Sequence, residues 1–137
     1  MDRLGAVGTA ITTVLRAGST GVAVGTANVF DSYAFRGSTP PYIVHQVNSE
    51  TPEFSSSSEV SRMVWSVMAV SAERWPDQVK RFAGLIDTDL HDGTLSVSGG
   101  TVIRCRRMSS IVPIRDETQH WYAGGLYVIE FSKSLGG

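Results

Sequence analysis

Histidine, cysteine and clustered carboxylates are the side chains best suited to hold a metal or move protons, and here they are few and scattered. His45, His91 and His120 are the only histidines. None falls in an HxH or HExxH spacing and no second cysteine accompanies Cys105, so a metal site has little support. Cys105 lies between Arg104 and Arg106, whose charges favour a thiolate. No base stands at a recognisable spacing from it, and the residue reads better as a small buried hydrophobe. Asp87, Asp89 and Asp92 in IDTDLHDG invite a cation, but the stretch lacks the glycine and closing glutamate of a calcium loop. A solvated helix end accounts for them. Glycines occur as GSTG and GG rather than GxGxxG or GxxxxGKS, which suits turns and not a phosphate cradle. No catalytic residue, cofactor or metal is assigned, and the expectation is a protein that is not an enzyme. The competing reading is a small ligand-binding or catalytic domain with a pocket between helices and sheet, using Cys105, His120 or the arginines.

One basic cluster stands out: Arg104, Arg106 and Arg107, with Arg115 further on. Alternate arginines on a strand project from one sheet face, where they can meet phosphate or an acidic neighbour. They equally suit a charged edge that discourages random sheet pairing.

The elements that must position these groups follow from periodicity. Leu4, Val7, Ile11, Val14 and Leu15 recur at three- and four-residue steps, predicting an amphipathic helix from Asp2 to about Gly18. NVFDSYAF is a short strand or irregular edge. YIVHQV, Tyr42 to Val47, is β-branched and aromatic and predicts a strand, while NSETPEFSSSS predicts an exposed connection or extended hairpin tip. Glu59 to Ser71 is the next strand. Trp75 and Pro76 mark a helix start, with Val79, Phe82, Ala83, Ile86 and Leu90 as its apolar stripe. Thr94 to Val97 and Thr101 to Arg107 predict a hairpin around Ser-Gly-Gly, and a last strand runs from about His120 to Ser132.

That order predicts an α+β fold: a single domain over residues 1–137 whose mostly antiparallel β-sheet carries two α-helices packed on one face, the last few residues being flexible. The chain has 42% hydrophobic and 18% charged residues, so it is short of charge against the roughly 25% usual for soluble domains. Its formal net charge of −1 gives no global pull toward nucleic acid. The N-terminal stretch is a poor signal peptide, no apolar run approaches the ~20 residues a bilayer needs, and a lone cysteine forms no internal disulfide, all of which predict a soluble, cytosol-made protein.

The strand EVSRMVWSVMAV has apolar residues on both sides. Met63, Trp65, Val67 and Ala69 line one, and Val64, Met68 and Val70 the other; Leu126 and Val128 join this second face from the last strand. Two helices cover one face only. Another subunit can cover the second, the N-terminal irregular segment can fold across it, or the side chains can stay half exposed. Trp121 and Tyr122 read either as core and rim or as an interface anchor.

Taken together, the N-terminal helix, VFDSY, PPYIVHQV, a polar tip, EVSRMVWSVMAVS, WPDQVKRFAGLIDTDL, GTLSVSGGTVIRCRR and WYAGGLYVIEF resemble the tail-terminator, or tail-completion, proteins of long-tailed bacteriophages, over about residues 1–133. The resemblance implies a homo-oligomeric, hexameric ring that caps the tail tube, ends its polymerisation and joins it to the head. Its partners would be the tail tube protein and a head-tail connector or stopper, with DNA passing through the ring without specific binding and no membrane involved. It places the protein in the tail-neck region of the virion after assembly in the host cytoplasm. A closed ring buries faces that a lone protomer cannot. On this reading Val64, Met68, Val70, Trp121, Tyr122, Leu126 and Val128 are candidate interface residues. Glu50, Glu53, Phe54 and Glu59 form a candidate channel or neighbour-ring loop, and Arg104, Arg106 and Arg107 are candidate ionic contacts. Another neck component, a stopper or adaptor, is the alternative within the same class.

Overall fold

Strict alternation along Glu59–Val70 places a strand at the centre of the molecule, and the rest of the chain is arranged around it in the computed structural model. The structure describes residues 3–32, 38–54, 58–97 and 100–134. Its elements are α1 (Arg3–Ala17), α2 (Ser19–Val24), a 3-10 turn (Thr26–Asn28), β1 (Val29–Asp31), β2 (Tyr42–Phe54), β3 (Ser58–Ser71), α3 (Asp77–Leu90), β4 (Thr101–Arg115) and β5 (Trp121–Ser134). The five strands form one sheet in the order β1-β2-β3-β5-β4. β1 runs parallel to β2 and every other pair is antiparallel.

The predicted faces are those observed. Met63, Trp65, Val67 and Ala69 from β3 and Ala123, Tyr127, Ile129 and Phe131 from β5 are buried. They form one core with Val7, Ala10, Ile11 and Leu15 of α1 and Val79, Phe82, Ile86 and Leu90 of α3. Full burial of each larger side chain contributes roughly 1.5–3 kcal/mol, so these two helical stripes on one sheet face are the main source of stability. Gly124 lets β5 approach β3 closely, since a Cβ there would clash with the carbonyl oxygen of Val67.

Several elements depart from the sequence expectation. The polar stretch after Val47 stays in the sheet, because β2 pairs with β3 as far as Phe54↔Glu59, with a bulge between Val47 and Ser49. The hairpin expected from Thr94–Val97 and Thr101–Arg107 is replaced by one between β4 and β5. Thr94–Val97 is not a strand, and Leu95 within it is buried in the core. β4 runs eight residues beyond Arg107, to Arg115, because the long apolar β5 offers it a continuous partner. NVFDSYAF contributes only β1, with Tyr33–Phe35 outside the described residues. α2 was not expected from STGVAV, and a carboxylate distant in sequence satisfies its N-terminus: Asp89 accepts the Ser19 and Thr20 backbone N–H groups at 3.2 and 2.9 Å and the Ser19 hydroxyl at 3.0 Å.

The buried polar link of the fold is His45. Its Nδ1 accepts from the Trp65 indole N–H at 3.0 Å, which leaves Nε2 protonated and donating to Thr12 Oγ1 at 2.7 Å. One imidazole thus ties α1, β2 and β3. Burial pushes its pKa from 6.5 down to about 4, with Asp31 opposing the shift and Arg16 adding to it. A depressed histidine pKa means the unfolded chain takes up the proton first. Stability is therefore level above about pH 6.5 and falls between 6.5 and 4 by on the order of 3 kcal/mol. Thermal melts across this range should show that fall in the native protein. His45→Gln should melt lower at pH 7 and lose most of the slope; an unchanged slope in the variant would assign it to other groups.

Candidate functional site

The sheet face turned away from the helices collects the side chains for which the sequence supplied no cover. Val64 and Met68 of β3 and Leu126 and Val128 of β5 are half-buried there, adjacent across the strands through Val64↔Val128 and Ser66↔Leu126. All belong to the opposite side of the pleat from the helix-packed residues. Met68 faces Gly124, where β5 lies close against the β3 backbone. Val70 is 2% exposed although it shares this face, because Tyr42 and Tyr122 stand beside it on the two neighbouring strands. Tyr42, Val44, Gln46, Met68 and Tyr122 line a shallow apolar concavity of about 220 Å³ over Val70.

Tyr122 is held in place by the β4–β5 turn. Its hydroxyl donates to Asp116 Oδ2 at 2.5 Å, while Asp116 Oδ1 accepts the N–H groups of Thr118 and His120 and the Thr118 hydroxyl. Those donors keep the Asp116 carboxyl well below the usual range, the Thr118 hydroxyl contributing most. The same carboxylate pushes the Tyr122 phenol up to about 12. Trp121, its neighbour, lies on the helix side instead. There its indole N–H donates to the Arg74 carbonyl at 3.2 Å and Arg115 stacks over its ring. The two aromatics therefore serve different faces.

The three arginines divide in the same way. Bulges on either side of the strand centre place Arg104 opposite Glu130, Arg106 opposite Val128 and Arg107 opposite Tyr127. Arg107 turns toward α3 and meets Asp87 at 3.1 Å, and Asp87 also accepts the Tyr127 hydroxyl. Arg106 meets Asp92 at 2.9 Å and, through that hydrogen bond first, lowers the Asp92 pKa. Cys105 between them is buried, which pushes its thiol up to about 12 and leaves it a weak nucleophile. Of the acidic residues near the β2–β3 tip, Glu59 is buried and Glu50 half-buried. Glu53 and Phe54 end β2, with their side chains outside the described residues. His45, His91 and His120 sit apart, on β2, after α3 and before β5, and among the described residues no three histidine, cysteine or acidic side chains converge as metal ligands would.

A feature that the sequence reading passed over is the outer edge of β4. Met108, Val112 and Ile114 are 53%, 67% and 55% exposed. MSSIVPIR carried the signal, since an apolar run beyond the predicted strand end has to lie somewhere.

The family profile described as Tail completion protein gp17 matches residues 9–128 of this chain. No curated protein matches the sequence at comparable stringency. Among solved structures, a chain of the virion of a native gene transfer agent particle superposes with a TM-score of 0.79, covering 96% of this chain and 99% of that one at 13% identity. At that identity the likeness shows a common fold.

The Asp116–Tyr122 bond predicts a spectroscopic result. Alkaline titration of phenolate absorbance, with Tyr122→Phe to assign the signal, should place Tyr122 near 12 in the native protein and return it toward 10 in Asp116→Ala. An unchanged value in the variant would mean that burial alone sets it.

Proposed function

Because the chain belongs to the family of tail completion protein gp17, we propose that this phage tail structural protein acts as a tail terminator. Identical copies close into a ring, a hexamer by family resemblance, that caps the tail tube, stops its growth and presents the surface to which the head connector binds. One ring side meets the tail tube protein and the other a connector or stopper protein, with DNA passing through the middle and no step of chemistry required. The protein then resides at the tail-neck junction after assembly in the host cytoplasm.

The observation that carries this reading is the half-buried apolar face of Val64, Met68, Leu126 and Val128 on a sheet whose helices all pack on the other side. Contiguous apolar area of this kind in a protein with little charge marks a contact surface. The near-neutral formal charge of −1 also suits a channel that must let DNA slide, since a basic lining would hold the phosphates. Glu50 and Glu53, toward the end of β2, are the residues we assign to the channel or to a neighbouring ring.

Purified protein added to polymerising tail tubes should cap them and shorten their length distribution, as seen by electron microscopy. Binding to filled heads ahead of tubes would instead make it a stopper or adaptor. Met68→Glu with Leu126→Glu places two charges on the half-exposed face and should cost less than about 1 kcal/mol each in the free protomer. The melting temperature should barely move while capping is lost. Normal capping by a well-folded double variant would remove this face from the contact.

A further inference from the structure

Resting on the ring reading above, we propose that the outer edge of β4 in one copy pairs antiparallel with the outer edge of β2 in the next, joining the five-stranded sheets head to tail into a continuous wall. Among the described residues, both edges lack partners along part of their length. β1 covers β2 only from Ile43 to His45, and Ser32 N–H closes that stretch on the His45 carbonyl. Beyond it, Gln46–Phe54 has no strand on its outer side among the described residues. On β4 the loop after α3 takes up two outward groups: Asp92 N–H donates to the Cys105 carbonyl at 2.8 Å, and His91 Nδ1 accepts the Arg107 N–H at 3.0 Å. From Met108 onward, no described residue bonds to the outer backbone of β4.

An edge that has to stay single is usually kept short, charged or covered. This one exposes Met108, Val112 and Ile114 instead. Pro52 and Pro113 each remove a donor near the ends, leaving Gln46–Thr51 and Met108–Val112 as proline-free stretches of ordinary strand length, the first with a bulge between Val47 and Ser49 and the second flanked by irregularities at Arg107/Ser109 and Ile111/Ile114.

Charge selects the occupant as a second copy and selects β2 over β4 within it. β4 carries Arg104, Arg106, Arg107 and Arg115 and no acid, whereas β2 carries Glu50 and Glu53 and no lysine or arginine. Pairing β4 with its own equivalent about Ser110 sets Arg115 opposite Cys105, between Arg104 and Arg106, and opposes no unlike charges; pairing it with β2 adds an acid beside Arg106, which Asp92 already meets. With Ser49 set opposite Ser110, Glu53 comes level with Arg106. The polarity agrees as well, because three antiparallel steps separate β2 from β4 in the sheet, so a copy placed alongside in the same orientation presents its β2 antiparallel to β4.

The offset is also what a closed wall requires. The register carries Ser49 across Val64 and Val128 to Arg106, whereas its proposed partner Ser110 stands opposite Gly125, three residues from Val128 along β5. At roughly 3.4 Å per residue, with four strand spacings of roughly 4.8 Å between β2 of one copy and β2 of the next, strands leaning by roughly 30° in the ring bring the two stretches level. Closed sheets lean in this manner. The contact joins different surfaces of identical subunits, which makes it a ring-forming geometry.

The test is disulfide trapping with Ser49→Cys combined in turn with Ser109→Cys and Ser110→Cys, each assembled on tail tubes and mildly oxidised. The native Cys105 is buried and stays silent. At least one double variant should give a covalent ladder reaching the ring mass, and single variants should give none. Rings of native mass without a ladder in either double variant, or covalent dimers from Ser110→Cys alone, overturn the strand pairing and leave the ring intact. A chain that remains monomeric by mass with and without tubes overturns the ring and the pairing with it.

Discussion

A five-stranded sheet has two faces, and the helices of this chain cover one. The core is set by that asymmetry: α1 and α3 lie over the side of Met63, Trp65, Tyr127 and Ile129, where burial is complete. The opposite side keeps Val64, Met68, Leu126 and Val128 only half-buried. In a water-soluble monomer, apolar area of that kind is tolerated but rarely kept contiguous. The chain belongs to a family of tail completion proteins, and structural proteins of virions work in contact with other proteins.

Within the protomer, a few long-range polar contacts decide how the helical layer sits. The imidazole of His45 joins α1 to β2 and β3 with both ring nitrogens used. Asp89, on α3, closes the N-terminus of α2 about seventy residues earlier. Asp87 holds Tyr127 and Arg107 together across α3, β5 and β4. Each of these groups is costly to leave unsatisfied once removed from water, so together they favour one docking of helices on sheet over sliding alternatives that the apolar stripes alone would permit.

The same contacts reassign residues that look like reactive chemistry in the sequence. Arg106 and Arg107 are matched by Asp92 and Asp87, and Cys105 lies in the core. The carboxylates of IDTDLHDG are spread over separate tasks: Asp89 caps α2, Asp87 ties α3 to Tyr127 and Arg107, and Asp92 pairs with Arg106. Beyond these matched groups, the outer part of β4 presents Met108, Val112 and Ile114 to solvent.

The alternation in β3 and β5 was legible in the sequence because a strand's side-chain period is two whatever the tertiary context, and the helical stripes of α1 and α3 because theirs is about 3.6. Those periods settled the fold class and the two faces. The fates of Thr94–Val97, of the MSSIVPIR extension and of α2 were decided only in three dimensions. A strand needs a partner, and β4 has it in the long β5 and not in Thr94–Val97. The six-residue α2 needed a carboxylate about seventy residues away. Trp121 and Tyr122 separate onto opposite faces by the pleat, as alternation requires, but that Tyr122 is clamped by Asp116 and Val70 shut in between two tyrosines follows from register, which sequence spacing does not encode.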